Sequence, residues 1–207
     1  MTPVASLAPP PALPAKTAPT AHPVHELIRR RWSPRAFTSQ PITDEEVATL
    51  FEAASWAASS ANGQPWVFAY AHRADEANFQ RLLDCLVPAN QAWAKQAAVL
   101  VLALARTTLP NGKPNDWARH DVGAATTTLL LQATAQGLHG HVMAGFDAQK
   151  TRQVFTLPDN IEPVTFTALG HQGPPEQLEE PNRTREAAPR TRKPVSEIAF
   201  AGLPTFS

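Results

Sequence analysis

The chain has 207 residues, of which 43% are hydrophobic, and its 18 basic residues balance its 18 acidic residues. This length suits one domain with a sizeable core, and the lack of an apolar run of about 18 residues predicts no membrane span. The zero net charge argues against bulk nucleic acid or an anionic membrane as the main partner. A single cysteine, Cys85, excludes an intrachain disulfide framework and a multi-cysteine metal site, and it predicts a reducing, cytoplasmic location.

Proline is distributed unevenly along the chain. Seven of the 21 prolines lie in residues 1–23, together with six alanines and one charged residue, Lys16. A proline-rich stretch of low hydrophobicity cannot bury enough apolar surface to offset its ordering entropy. Residues 1–23 are therefore predicted to be a disordered tail, and residues 24–207 to form the folded domain.

Helical and extended patterns alternate through the folded part. A short helix is predicted over residues 24–31, and Thr43 and Glu46 form a capping box that begins the next one, which is expected to end near residue 58. Further helices are predicted at residues 74–86, 116–136 and 147–155, and strands at residues 66–71, 97–105, 138–143 and 164–169.

Two features of this pattern concern packing. The strand at residues 97–105 is apolar throughout, which predicts that both of its faces are covered. Beyond Gly173 no clear element is expected until residues 195–200. Such a long irregular arm is unusual in a compact domain, so we expect it to pack on the domain's own surface or on a second subunit.

Basic residues form two clusters that are far apart in the sequence. Arg29, Arg30 and Arg31 are followed by Arg35, and residues 190–193 read Arg-Thr-Arg-Lys. Each cluster alone is typical of a solvated surface, and the first also suits the end of a helix. Guanidinium groups also bind phosphate oxygens with directional, charge-assisted hydrogen bonds. Two clusters of one sign in a neutral protein favour their convergence on one anion.

Other candidate residues lie outside the two basic clusters. Residues 59–66, Ser-Ser-Ala-Asn-Gly-Gln-Pro-Trp, lie between a helix and a strand, where short polar side chains suit either a planar polar ligand or an ordinary connection. His139 and His141 would share one face of a strand, which allows a metal hydrolase site, although packing histidines are more common. Residues 90–93, Asn-Gln-Ala-Trp, are a candidate wall of a substrate channel, and Cys85 is predicted to be a buried, inert thiol.

Four segments together resemble the FMN-dependent nitroreductase family. They are Arg-Trp-Ser-Pro-Arg-Ala-Phe at residues 31–37, the polar segment at residues 59–66, Ala-Gly-Phe-Asp at residues 144–147 and Arg-Thr-Arg at residues 190–192. They stand in the family's order, and the resemblance covers residues 24–200. The polar segment is the most specific of the four.

The resemblance implies an α+β fold with a central, mostly antiparallel sheet flanked by helices. It also implies a homodimer whose C-terminal arms cross to the partner and whose two FMN molecules lie at the interface. The cofactor-binding residues that it implies are Arg31, Trp32, Ser33, Arg35, Ala58, Ser59, Ser60, Asn62, Gln64, Met143, Ala144, Gly145, Arg190 and Arg192.

Different roles are expected within this set. Arg31, Ser33 and Arg35 would contact the phosphate, ribityl chain and ring edge, and Arg190 and Arg192 would bind the same phosphate. Residues 58–62 would come from the other subunit. The backbone amides of residues 143–145 would pass beside flavin N5. Ala58 departs from a frequent proline, and Ala144 departs from an acidic residue found in some relatives.

The chemistry implied by the resemblance is flavin-centred. A hydride passes from NAD(P)H to flavin N5 and then to a nitroaromatic, quinone or similar small-molecule acceptor, by a ping-pong mechanism. No protein nucleophile is required, and no metal is expected. The alternative is a flavin-binding protein without turnover, for storage or sensing.

Overall fold

The computed structural model describes residues 16–202, so residues 1–15 of the expected tail lie outside the described residues. A four-stranded antiparallel sheet forms the centre of the fold, with strand order β1-β2-β4-β3. The strands are β1 (Trp66–His72), β2 (Val99–Arg106), β3 (His139–Met143) and β4 (Ile161–Gly170). The expected antiparallel sheet is confirmed.

Helices cover both faces of this sheet. They are α1 (Glu26–Arg30), α2 (Asp44–Ser55), α3 (Glu76–Leu83), α4 (Pro88–Ala94), α5 (Ala118–Ala135), α6 (Ala148–Val154) and α7 (Asn182–Ala187). On one face α2 and α5 pack on Val99 and Val101 of β2. On the other face α3 and α4 pack on Leu100, Leu102 and Leu104. The continuous apolar run of β2 is therefore buried on both sides, as its sequence predicts.

Local capping rules explain several boundaries. The Thr43 side chain accepts a hydrogen bond from the Glu46 amide, and the Glu46 carboxylate accepts one from the Thr43 amide, which confirms the capping box. Asp147 caps α6 by accepting from the Lys150 amide at 2.9 Å. Gly137 ends α5 with φ of +75°, a conformation that glycine adopts without a side-chain clash.

Two short helices were not predicted from the sequence. Helix α4 begins at Pro88, where the missing N–H of proline costs nothing in the first turn, and it is held by the buried Trp93. Helix α7 lies in the arm, which we define as residues 174–202, and its buried residue is Glu186. Strand β4 also begins three residues earlier than expected, at Ile161, because it continues its pairing with β2 to Arg106.

The first described residues run beside the arm. The Ala18 amide donates to the Arg29 carbonyl at 2.8 Å. The Lys16 ammonium group donates to the carbonyls of Glu186 and Ala188. Within residues 16–202, no helix has the length and apolar character that crossing a membrane requires.

Candidate functional site

The segment that leaves α1 exposes alternate side chains. Trp32 and Pro34 are buried, whereas Arg31, Ser33 and Arg35 are each half-buried. This period of two is typical of extended backbone, and it places the three half-buried side chains on one side of the segment. The Arg31 guanidinium donates to the Ser33 hydroxyl at 3.3 Å.

The distant basic residues of the arm return to this segment. The Arg190 guanidinium donates to the carbonyls of Arg29 and Lys16, each at 2.7 Å. Burial and the positive charge of Arg192 lower the pKa of Arg31. Burial, with the charges of Arg31 and Arg192, lowers the pKa of Arg190. The bond to Arg29 brings the arm beside the extended segment, and we call Arg31, Arg190 and Arg192 the arginine cluster.

Carboxylate partners for the arginine cluster are missing from the described part of the chain. Within residues 16–202, none of its three guanidinium groups forms a salt bridge with a carboxylate. Like charges brought together without a partner raise the free energy of the folded chain, and a bound anion removes that cost. The cluster is therefore suited to hold a multiply charged anion such as a phosphate.

A buried carboxylate holds the arm against the extended segment, and it was not predicted from the sequence. Glu186 is 3% exposed, and its carboxylate accepts from the Arg35 amide at 2.9 and 3.0 Å and from the Ala36 amide at 3.1 Å. The Arg35 guanidinium lies 4.0 Å away. Burial raises the pKa of the Glu186 carboxyl, and the two amide donors oppose that shift.

The end of β3 lies beside the same segment. The His141 ring contacts the Pro34 carbonyl at 3.0 Å, and its centroid is 4.6 Å from that of Trp93. The Arg35 guanidinium lies 5.9 Å from the Trp93 ring centroid. Met143 is buried two residues beyond His141. The strand therefore leads from the extended segment toward residues 144 and 145.

The turn after β3 offers backbone donors. The Gly145 carbonyl accepts from the Val87 amide at 3.1 Å and from the Asn90 side chain at 3.0 Å. A Cβ at Gly145 would lie 2.7 Å from the Asn90 Nδ2, so a larger residue there would displace the Asn90 side chain that bonds to the Gly145 carbonyl. Among the described residues, the N–H groups of Ala144 and Gly145 donate to no protein acceptor. They are free to donate to a ligand.

The polar loop of residues 58–64 is a strained, exposed turn. Asn62 and Gln64 have φ of 54° and 43°, in the left-handed region that non-glycine residues adopt at a cost. The Gln64 amide donates to the Ser59 hydroxyl at 3.1 Å. The Ser60 amide donates to Asp121, which is 2% exposed, at 3.0 Å. Asp121 thus anchors the loop to the first turn of α5, a role that the sequence did not predict.

The loop and the extended segment meet different ends of α5. The loop is held at Asp121, whereas Trp32 lines a cavity with Thr134, near the other end of α5. Thirteen residues of helix separate Asp121 from Thr134, which corresponds to about 20 Å. The anchor of the loop that contains Ala58, Ser59, Ser60, Asn62 and Gln64 and the cavity beside Trp32 therefore lie at opposite ends of α5.

The two strand histidines pack beneath the extended segment. The Trp32 ring lies edge-to-face on His139, with centroids 6.2 Å apart, and burial lowers the pKa of both His139 and His141 to about 4. In residues 16–202 no three His, Cys, Asp or Glu side chains gather as a metal site would need. Cys85 is fully buried with its thiol 3.3 Å from the Arg81 carbonyl, and burial raises its pKa.

Comparison with known proteins identifies the family. The sequence model of the nitroreductase family matches residues 28–171, more than half of the chain. The chain belongs to the nitroreductase family. The match includes the extended segment, the polar loop and the turn after β3, and it ends before the arm that carries Arg190 and Arg192.

Individual relatives and a solved structure of similar sequence extend the comparison. An uncharacterized 15.4 kDa protein of Mycolicibacterium smegmatis is 35% identical over 135 residues, which are 64% of this chain and 87% of that protein. A provisionally named NADH dehydrogenase/NAD(P)H nitroreductase of Rhodopseudomonas palustris is 28% identical over 152 residues, 64% of this chain and 76% of its own. A solved oxidoreductase containing FMN is 33% identical, with a TM-score of 0.87, and covers 95% of this chain and 100% of its own.

Proposed function

We propose that this nitroreductase-family chain is an FMN-dependent oxidoreductase that uses NAD(P)H to reduce a small acceptor such as a nitroaromatic or a quinone. The observation that carries the proposal is that the Arg190 guanidinium returns to the Arg29 carbonyl, two residues before Arg31, while Arg31, Arg190 and Arg192 form no salt bridge with a carboxylate in residues 16–202. The similarity to a solved oxidoreductase containing FMN supports the same cofactor.

The residues present fit the charge of FMN. Its phosphate is a dianion, whose desolvation is costly unless cations and donors replace the lost water. The arginine cluster supplies three positive charges, and the Ser33 hydroxyl lies beside Arg31. Two carbonyls hold the Arg190 guanidinium through one nitrogen, so its other N–H groups remain available to phosphate oxygens. Charge-assisted hydrogen bonds of this kind are the strong ones in proteins.

The rest of the site would orient the flavin. The free N–H groups of Ala144 and Gly145 would donate to the ring edge, and Arg35, held by Glu186 and Trp93, would add positive charge beside it. When bound, FMN supplies the hydride chemistry between NAD(P)H and the acceptor. The protein binds and orients it, since preformed donors need no reorganisation during the reaction.

We further propose that the functional unit is a homodimer. Within one chain the anchor of the loop at Asp121 lies about 20 Å along α5 from Thr134, which lines a cavity with Trp32, and this favours a loop supplied by another copy. Residues 58–64 of a second copy would close the site instead. Val195, Ile198 and Phe200 of the arm are more than half exposed, and that surface suits burial against a partner.

The absorption spectrum of the purified protein tests this proposal. We expect a yellow protein, or one that becomes yellow with FMN, whose colour is bleached anaerobically by NADH or NADPH and restored by a quinone. A protein that stays colourless after FMN is added contradicts the assignment. A yellow protein that neither NADH nor NADPH bleaches indicates flavin binding without turnover.

A further inference from the structure

The N-terminal segment of residues 16–22 contacts the arm although it lies outside the family match, which begins at residue 28. Its contacts centre on Lys16. The Lys16 ammonium donates to the carbonyl of Ala188 at 2.6 Å and to that of Glu186. The Lys16 carbonyl accepts from the Arg190 guanidinium at 2.7 Å. One residue therefore bonds to both sides of the turn that connects α7 to Arg190.

These contacts restrict the conformation of the Arg190 side chain. A guanidinium on a long side chain has many rotamers, and each fixed hydrogen bond removes some of them. Arg190 has two carbonyl acceptors, from Lys16 and Arg29, and the Ala18 amide also bonds to the Arg29 carbonyl. The N-terminal segment thus supplies one of the two acceptors, the Lys16 carbonyl, and it holds the other, the Arg29 carbonyl, through the Ala18 amide. Without this segment, Arg190 would keep only the Arg29 carbonyl, which would no longer be held by Ala18.

The Lys16 side chain is what holds the segment in place. Its ammonium donates to two carbonyls at the C-terminal end of α7, and it lies 5.2 Å from the centroid of the Trp32 ring, within cation–π range. Burial lowers the pKa of Lys16, an effect that the charge of Glu186 opposes. A side chain without a donor at this position, such as methionine, cannot bond to the two carbonyls.

We propose that Lys16 is a positioning residue for phosphate recognition, which acts by orienting Arg190 toward the FMN phosphate and does not itself touch the ligand. This inference rests on the proposed FMN-dependent function. It assigns a role to a segment that sequence composition describes only as a tail, and it makes the N-terminal segment part of the cofactor site.

The test compares FMN with riboflavin, which lacks the phosphate, by quenching of flavin fluorescence on the full-length protein. We expect Lys16→Met to raise the Kd for FMN about tenfold, which is the effect of losing one charge-assisted hydrogen bond between Arg190 and the phosphate. The Kd for riboflavin should change less than about twofold. Lys16→Arg, which keeps the charge and the donors, should restore most of the FMN affinity. Lys95→Met removes the same charge at an exposed site and should change neither constant.

The outcomes separate this inference from the proposed function. If Lys16→Met weakens FMN and riboflavin equally, Lys16 is only structural and the inference is wrong. If the wild type prefers FMN over riboflavin and Lys16→Met keeps the same preference, the inference is also wrong, although the proposed function stands. If the wild type binds no FMN, both are overturned. Far-ultraviolet circular dichroism of each variant shows whether it is folded.

Discussion

Replacing Glu186 by glutamine is expected to release the arm from the extended segment. The carboxylate is 3% exposed and accepts from the amides of Arg35 and Ala36 at 2.9 to 3.1 Å. Glutamine has nearly the same shape, but its NH₂ group replaces one of the two carboxylate oxygens. A donor of the side chain would then face a backbone N–H, which is also a donor. It also removes the charge that lies 4.0 Å from the Arg35 guanidinium.

The size of this effect follows from the hydrogen bonds. Bonds to a charged acceptor contribute about 1.5 to 3 kcal/mol, whereas neutral ones contribute about 1 kcal/mol, so two weakened bonds should cost about 2 to 3 kcal/mol in free energy of unfolding. For a chain of this size that corresponds to a fall in Tm of about 5 to 10 °C. Because the same arm carries Arg190, FMN affinity should fall as well.

Urea denaturation at neutral pH measures this change, and Glu176→Gln provides the control. Glu176 is an exposed residue of the same arm, so its replacement should alter the free energy of unfolding by less than about 0.5 kcal/mol. The reasoning is refuted if Glu186→Gln is as stable as the wild type, or if the control loses as much stability.

Two further predictions concern the loop and the buried histidines. Asp121→Asn should weaken the anchor of the Ser60 amide, cost about 1 to 2 kcal/mol in urea denaturation and lower FMN affinity; unchanged values for both would contradict the anchoring role. His139 and His141 have a folded-state pKa of about 4, below the unfolded value, so the unfolded chain binds more protons as the pH falls from about 6.5 to 4. The contribution of the two histidines to the free energy of unfolding should be fully present above pH 6.5, and it should be lower by about 2 kcal/mol per histidine at pH 5. Equal free energies of unfolding at pH 5 and pH 7.5 would contradict this.

Local sequence rules account for much of the fold. The Thr43 and Glu46 pair specifies the start of α2, and the apolar run of β2 specifies a strand that is buried on both faces, because each signal depends on residues close in the sequence. Helix α4 was missed because it has only seven residues and begins with Pro-Ala-Asn-Gln, which has no helical period.

The candidate site depends more on tertiary contacts. The sequence predicts that the two basic clusters converge, because two clusters of the same charge in a neutral chain favour binding of one shared anion. The role of Glu186 could not be predicted, because a glutamate in a charged, proline-rich stretch is usually solvated. Its burial depends on the amides of Arg35 and Ala36, which lie about 150 residues away in the sequence. Lys16 was assigned to a tail for the same reason: its partners lie about 170 residues away in the sequence.

Complementation between two defective variants tests the shared site most directly. Arg190→Gln/Arg192→Gln removes two members of the arginine cluster, and Ser60→Trp blocks the loop of residues 58–64 with a bulky side chain. Each homodimer alone should bind little FMN.

When the two variants are mixed and allowed to reassociate, half of the dimers pair one copy of each variant, and every such dimer has one intact site. We therefore predict that about a quarter of all sites regain FMN in fluorescence titration. No recovery in dimers shown by mass spectrometry to be mixed would contradict a site built from the arginines of one chain and the loop of its partner.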